Sequence, residues 1–113
     1  MLTVTSKIVS DVVIFNLAGR FSFMEYGLRD RTKELLDAGH SAFILNLADV
    51  TYIDSFGVGQ IFSIWTSIRA KHGQIVVLQP TAPVQTVLQA TKLDTVFQIF
   101  TDEAQAITQA KQG

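Results

Sequence analysis

Ser55 is the residue whose type and setting most suggest chemistry, because it follows Asp54 and leads directly into Phe56-Gly57-Val58-Gly59. A serine hydroxyl can attack a substrate or accept a phosphoryl group, and the two roles need different neighbours. A nucleophile elbow is written G-x-S-x-G and requires a histidine base. Here Ile53 stands where the first glycine belongs, and neither of the 2 histidines, His40 and His72, is tied to Ser55 by sequence. Gly57-Val58-Gly59 lacks the third glycine of a dinucleotide fingerprint, and no G-K-[ST] follows it. With 0 cysteines there is no thiolate nucleophile, disulfide framework or thiolate zinc site. The pattern therefore speaks against a hydrolase or a nucleotide-cradling loop. It leaves Ser55 at or beside a helix N-cap, where the dipole and free N–H groups tolerate an anion.

The elements around Ser55 can be read from periodicity. Thr3 to Val9 and Val12 to Leu17 are rich in β-branched residues and flank Ser10-Asp11, the pattern of a β-hairpin. Ser22 and Glu25 have capping-box spacing, which predicts a helix over Glu25 to Asp37 with Met24, Leu28, Leu35 and Leu36 inward. Gly39 stands where a left-handed C-cap falls. Phe43 to Leu47 is a nearly continuous apolar run, as expected at the middle of a sheet. A turn over Ala48 to Asp54, with Asp49 and Thr51 as turn formers and Asp54 as a capping or bracing carboxylate, then leads into a second helix ending near His72-Gly73. Val58, Ile61, Phe62, Trp65 and Ile68 mark its inward face, which makes Phe62 and Trp65 core residues.

Ile75 to Leu78 reads as a further strand. Thr81 offers a hydroxyl cap ahead of Pro83, with Val84, Val87 and Leu88 on one face of a short helix. Val96 to Phe100 reads as an edge strand, and Asp102 to Ala110 as a last helix with acids at its N-terminus. The order calls for an α/β fold in one domain over residues 1–113: a mixed, mostly parallel sheet opened by an antiparallel hairpin, with about four helices.

Totals bound the function. Lysine plus arginine is 9 against 10 acids, so no positive surplus exists to hold a phosphate backbone, and nucleic acid is not an expected partner. No basic region followed by an apolar core opens the chain, and no stretch approaches a bilayer span. The expectation is a cytoplasmic protein with no direct membrane insertion and no cofactor.

One segment carries a resemblance. Leu45-Asn46-Leu47-Ala48-Asp49-Val50-Thr51-Tyr52-Ile53-Asp54-Ser55-Phe56-Gly57-Val58-Gly59 is similar to the signature of STAS domains, above all the bacterial anti-sigma factor antagonists. The likeness continues through Gly73 to Leu78, Pro83-Val84 and Leu93. It implies a non-catalytic partner-switching adaptor. Ser55 would be phosphorylated by an anti-sigma factor serine/threonine kinase of the GHKL type and restored by a metal-dependent serine phosphatase, with the unmodified form binding the kinase. The same resemblance admits an unphosphorylated STAS subunit that supports a membrane lipid or ABC transport complex.

Residues themselves suggest where a partner docks. On a helical wheel Phe56, Gly59, Ser63, Ser67 and Ala70 lie opposite the apolar stripe, where a solvated helix would carry charges. Gly57 and Gly59 in a first helical turn cost up to about 1 kcal/mol each relative to alanine, which points to a close approach by another group. The expected partner-binding set is Asp54, Ser55, Phe56, Gly57, Gly59, Ser63 and Ser67. Two departures from the resemblance stand out. Gly19-Arg20-Phe21-Ser22 replaces the usual G-E-L-D, exchanging two carboxylates for a cation and a hydroxyl, and Phe56 is bulky where a small residue is usual.

Overall fold

A computed structural model describes residues 2–22 and 27–112. Strands β1 (Leu2–Val9) and β2 (Val12–Phe21) form the hairpin. Ser10 and Asp11 turn it with φ of 51° and 68°, the left-handed pair a two-residue hairpin loop demands. Helix α1 (Gly27–Asp37) follows, then β3 (Ala42–Ile53), α2 (Ser55–Ala70), β4 (Gln74–Leu78), α3 (Ala82–Ala90), a 3₁₀ turn at Leu93–Thr95, β5 (Ile99–Phe100) and α4 (Glu103–Gln112). The sheet order is β1-β2-β3-β4-β5. Only β1 and β2 are antiparallel; each later strand pairs in parallel with the one before it. The Phe43 to Leu47 run is central, as its hydropathy requires.

Both sheet faces are covered. Val13, Phe15, Leu17, Phe43, Leu45 and Val77 point to the face roofed by α1, α2 and α3, while Ile14, Ile44, Val76 and Leu78 point to the face covered by α4. Helix α1 buries Leu28, Thr32, Leu35 and Leu36, an i, i+4, i+7, i+8 stripe. The buried Thr32 hydroxyl is satisfied by donating to the Leu28 carbonyl at 2.7 Å. Gly39, at φ +100°, closes the helix as expected: its N–H donates to Leu36 and that of His40 to Leu35. Helix α4 lies close on its face because the buried positions are the small Ala106 and Ala110. The Asp102 carboxylate caps it, accepting the Ala104 N–H at 3.0 Å.

Several expectations are corrected. The segment Ala48 to Ile53 is strand rather than turn, so Asp49 and Thr51 are strand residues of β3. The register explains it: Asn16 pairs with Asn46 but Ala18 with Asp49, a bulge that lets β3 continue beside β2. Strand β5 is confined to Ile99–Phe100, because Leu93–Thr95 winds into the 3₁₀ turn and buried Phe97 follows it. Thr81 sits at the N-cap of α3 but makes no cap hydrogen bond; its hydroxyl donates instead to the Val50 carbonyl at 2.8 Å. The capping role of Glu25 and the inward position of Met24 lie outside the described residues.

Candidate functional site

Ser55 stands at the first position of α2, beyond the C-terminal end of the central strand, and its side chain is exposed. Among the described residues its hydroxyl has no hydrogen-bond partner. The residue before it does the capping. Asp54 has extended backbone geometry (φ −124°, ψ −169°), and its Oδ1 accepts the N–H groups of Phe56 at 3.0 Å and Gly57 at 3.2 Å. The Ser22 hydroxyl donates to Oδ2 of the same carboxylate. The Ser22 hydrogen bond, aided by the two backbone donors and opposed by partial desolvation, holds the Asp54 carboxyl below its usual range. Asp54 is therefore ionised and occupied at both oxygens.

This arrangement fixes the start of α2 to the end of β2. The Asp54 N–H donates to the Phe21 carbonyl at 3.4 Å, and Gln60 Nε2 donates to the Ser22 carbonyl at 3.2 Å. Between them Gly57 is buried, and a Cβ there would stand 2.3 Å from the Phe21 carbonyl oxygen and 2.8 Å from Ile53 Cγ1. The close approach expected at Gly57 is thus real, but it is made by the chain's own backbone. Gly59 is different: a Cβ there would meet nothing within 4 Å.

The chemistry follows from these contacts. The Asp54 carboxylate is engaged by two N–H groups and the Ser22 hydroxyl, and among the described residues no hydrogen bond links it to the Ser55 hydroxyl. His72 lies past the far end of the 16-residue helix, roughly 24 Å away at 1.5 Å per residue. His40 lies before β3, at the opposite end of that strand from Ser55. No imidazole serves Ser55. What the site presents is an open hydroxyl at a helix N-terminus, beside Phe56, which is 57% exposed.

Comparisons with known proteins identify the family. Residues 3–106 match the STAS domain family. The chain belongs to that family. A Thermotoga maritima protein, provisionally named an anti-sigma factor antagonist, is 32% identical over 93% of this chain and 95% of its own length. The crystal structure of a Thermotoga maritima protein of the same description superposes with a TM-score of 0.85, at 31% identity, covering 96% of this chain and 94% of that one. SpoIIAA shares the fold at lower identity. Its unphosphorylated form gives a TM-score of 0.78 at 20% identity over 98% of each chain. The phosphorylated form, from Bacillus, gives 0.77 at 21% over 95% of this chain and 98% of that one.

Within this STAS domain the remaining predicted residues divide between two flanks of α2. Phe56, Ser63, Ser67 and Ala70 share the flank turned toward α1. Ser63, Ser67 and Ala70 line a groove of about 540 Å³ between the two helices, opposite Arg29, Asp30, Lys33 and Asp37 of α1. Gly59 lies on the exposed crest with Ser55. The inward stripe is Gly57, Ile61, Ile64 and Ile68, so Ile64 is core, a place the sequence reading did not give it. Phe62, expected in the core, is 49% exposed. It lies against half-buried Trp65, ring centroids 5.4 Å apart, and Trp65 in turn meets Phe97 edge-on at 6.4 Å. Trp65 does pack against the core, as expected, from its margin.

Arg20 and Ser22, the two departures at the end of β2, have separate destinations. The Arg20 guanidinium lies 4.0 Å over the ring of Tyr52, its register partner on β3. Ser22 turns to Asp54, a second-strand contribution to the site that residue spacing alone did not suggest. The signal was present in the sequence only as a hydroxyl at a position where the family resemblance places an acid.

Proposed function

We propose that this STAS domain is an anti-sigma factor antagonist-type adaptor: it binds an anti-sigma factor serine/threonine kinase of the GHKL type while Ser55 is unmodified and releases it when Ser55 carries a phosphate. The observation that carries the reading is the exposed Ser55 hydroxyl at the head of α2. It is flanked by exposed Phe56 and by the exposed crest at Gly59, with Ser63 and Ser67 on the neighbouring flank that faces α1. The domain binds rather than catalyses, and a metal-dependent serine phosphatase resets it.

A phosphate adds about −1.5 to −2 charge. At the centre of a docking face it opposes association by desolvation and repulsion, and the core beneath is untouched. SpoIIAA, which shares the fold, is known in both an unphosphorylated and a phosphorylated form.

The test is binding of the purified kinase to wild type, Ser55→Ala and Ser55→Asp proteins, with ATP added to a parallel wild-type sample and phosphate located by mass spectrometry. Phosphate on Ser55, with binding retained by the alanine variant and lost by the aspartate variant, is the expected result. Equal binding by all three without phosphate transfer overturns the reading and leaves a constitutive STAS subunit.

A further inference from the structure

Helix N-termini attract phosphate because their first N–H groups lack intrahelical partners. A phosphate on Ser55 would ordinarily fold back onto those donors and be partly neutralised by them. In this chain two of those donors are already taken. Phe56 N–H and Gly57 N–H both bond Asp54 Oδ1, and the Val58 N–H donates to the Asp54 carbonyl at 2.9 Å. The Asp54 carboxylate cannot easily swing away, because Ser22 holds its other oxygen and Ser22 is itself held by Gln60 through its carbonyl.

We infer that Asp54, locked by Ser22, is a positioning residue that keeps a phosphate on Ser55 off the Phe56 and Gly57 N–H groups and turned outward into the docking face. The inference rests on the reading of Ser55 as the modified residue. It adds to that reading the reason why one phosphate would be strongly felt by a partner: two of the helix donors that would offset its charge are held by Asp54. A fixed carboxylate next to the phosphate adds to the negative field instead of offsetting it.

The experiment needs neither kinase nor partner, so it fails or succeeds apart from the proposed function. Phosphoserine is installed at position 55 during synthesis of the full chain, in wild type, Ser22→Ala and Asp54→Gly backgrounds. Glycine is chosen at 54 because an N-cap tolerates it better than it does alanine. Amide ¹H–¹⁵N shifts of Phe56 and Gly57 are then followed as the phosphate ionises, near pH 6.

In wild type the two amides are expected to hold their positions through the phosphate titration. In the Asp54→Gly background they are expected to move downfield with it, as the phosphate takes the vacated donors. Ser22→Ala, which unlocks the carboxylate without removing it, is expected to give a partial movement. Movement of both amides in wild type would show that phosphate displaces Asp54 and would overturn the inference. So would stationary amides in a folded Asp54→Gly protein, because the exclusion would then have some other cause.

Discussion

At the scale of single residues, the two glycines that open α2 have opposite reasons for being there. Adding a methyl group at Gly57 drives it into the Phe21 carbonyl at 2.3 Å, and a backbone carbonyl is not a neighbour that can rotate aside. Overpacking of this kind costs ~1–3 kcal/mol, which outweighs the helix-propensity gain of about 1 kcal/mol. Gly57→Ala is therefore expected to lower unfolding stability in urea and to disturb the Asp54–Ser22 junction. Gly59→Ala meets no neighbour and should raise stability by about 0.5–1 kcal/mol, through helix propensity and a less flexible unfolded chain. A Gly59→Ala protein that gains stability yet loses kinase affinity would locate a partner backbone against the crest of the helix. From sequence the pair looked equivalent, because spacing reveals a need for glycine without revealing which neighbour imposes it.

Elements were legible where their pattern was undisturbed and obscure where two patterns met. The hairpin turn, the central place of Phe43 to Leu47 and the inward Leu28, Leu35 and Leu36 of α1 follow local rules, and there the sequence reading and the structure agree. Strand β3 was read short because its inward residues run Leu45, Leu47, Val50 and Ile53: the bulge opposite Leu17 shifts the alternation, and the poor strand formers Ala48 and Asp49 sit at the shift. Helix α2 posed the reverse problem. Val58, Ile61, Phe62, Ile64, Trp65 and Ile68 form an apolar arc wider than the sheet can cover, so periodicity alone did not say which edge stays out. Ile64 is 1% exposed, and Ile64→Ala should cost about 2–5 kcal/mol. Phe62→Ala gives up half-exposed surface and one aromatic contact, and should cost no more than about 1.5 kcal/mol. Thermal or denaturant unfolding of the two variants checks the assignment, and near-equal losses would contradict it. Ser55 itself was legible because its neighbours announce a strand-to-helix junction; the Ser22 contact was not, since it joins positions 32 residues apart.

For the molecule as a whole, the division of helices between the faces is uneven. Three helices roof one side of the sheet, and α4 alone covers Val12, Ile14, Ile44, Val76 and Leu78 on the other. The exposed pair Lys7–Glu103, at 3.8 Å, adds little to this attachment. Removal of residues 103–113 should therefore uncover a continuous apolar surface while leaving every strand and the Ser55 junction in place. The expected outcome is strong binding of a hydrophobic dye and self-association in sedimentation experiments. A truncated chain that stays monomeric, dye-free and as stable as the parent would show that α4 is dispensable.

The strand order has a consequence for how the chain is made. Because each strand pairs with the one synthesised just before it, the sheet can lengthen in step with emergence from the ribosome, and no strand waits for a distant partner. The cover for the α4 face, however, comes after every strand in chain order. At roughly 5–20 residues per second, the ten residues of α4 take on the order of a second to add once the last strand has been made. Through that interval a nearly finished sheet carries one bare greasy side. The nascent domain is thus most in need of a chaperone between the completion of its last strand and the docking of α4.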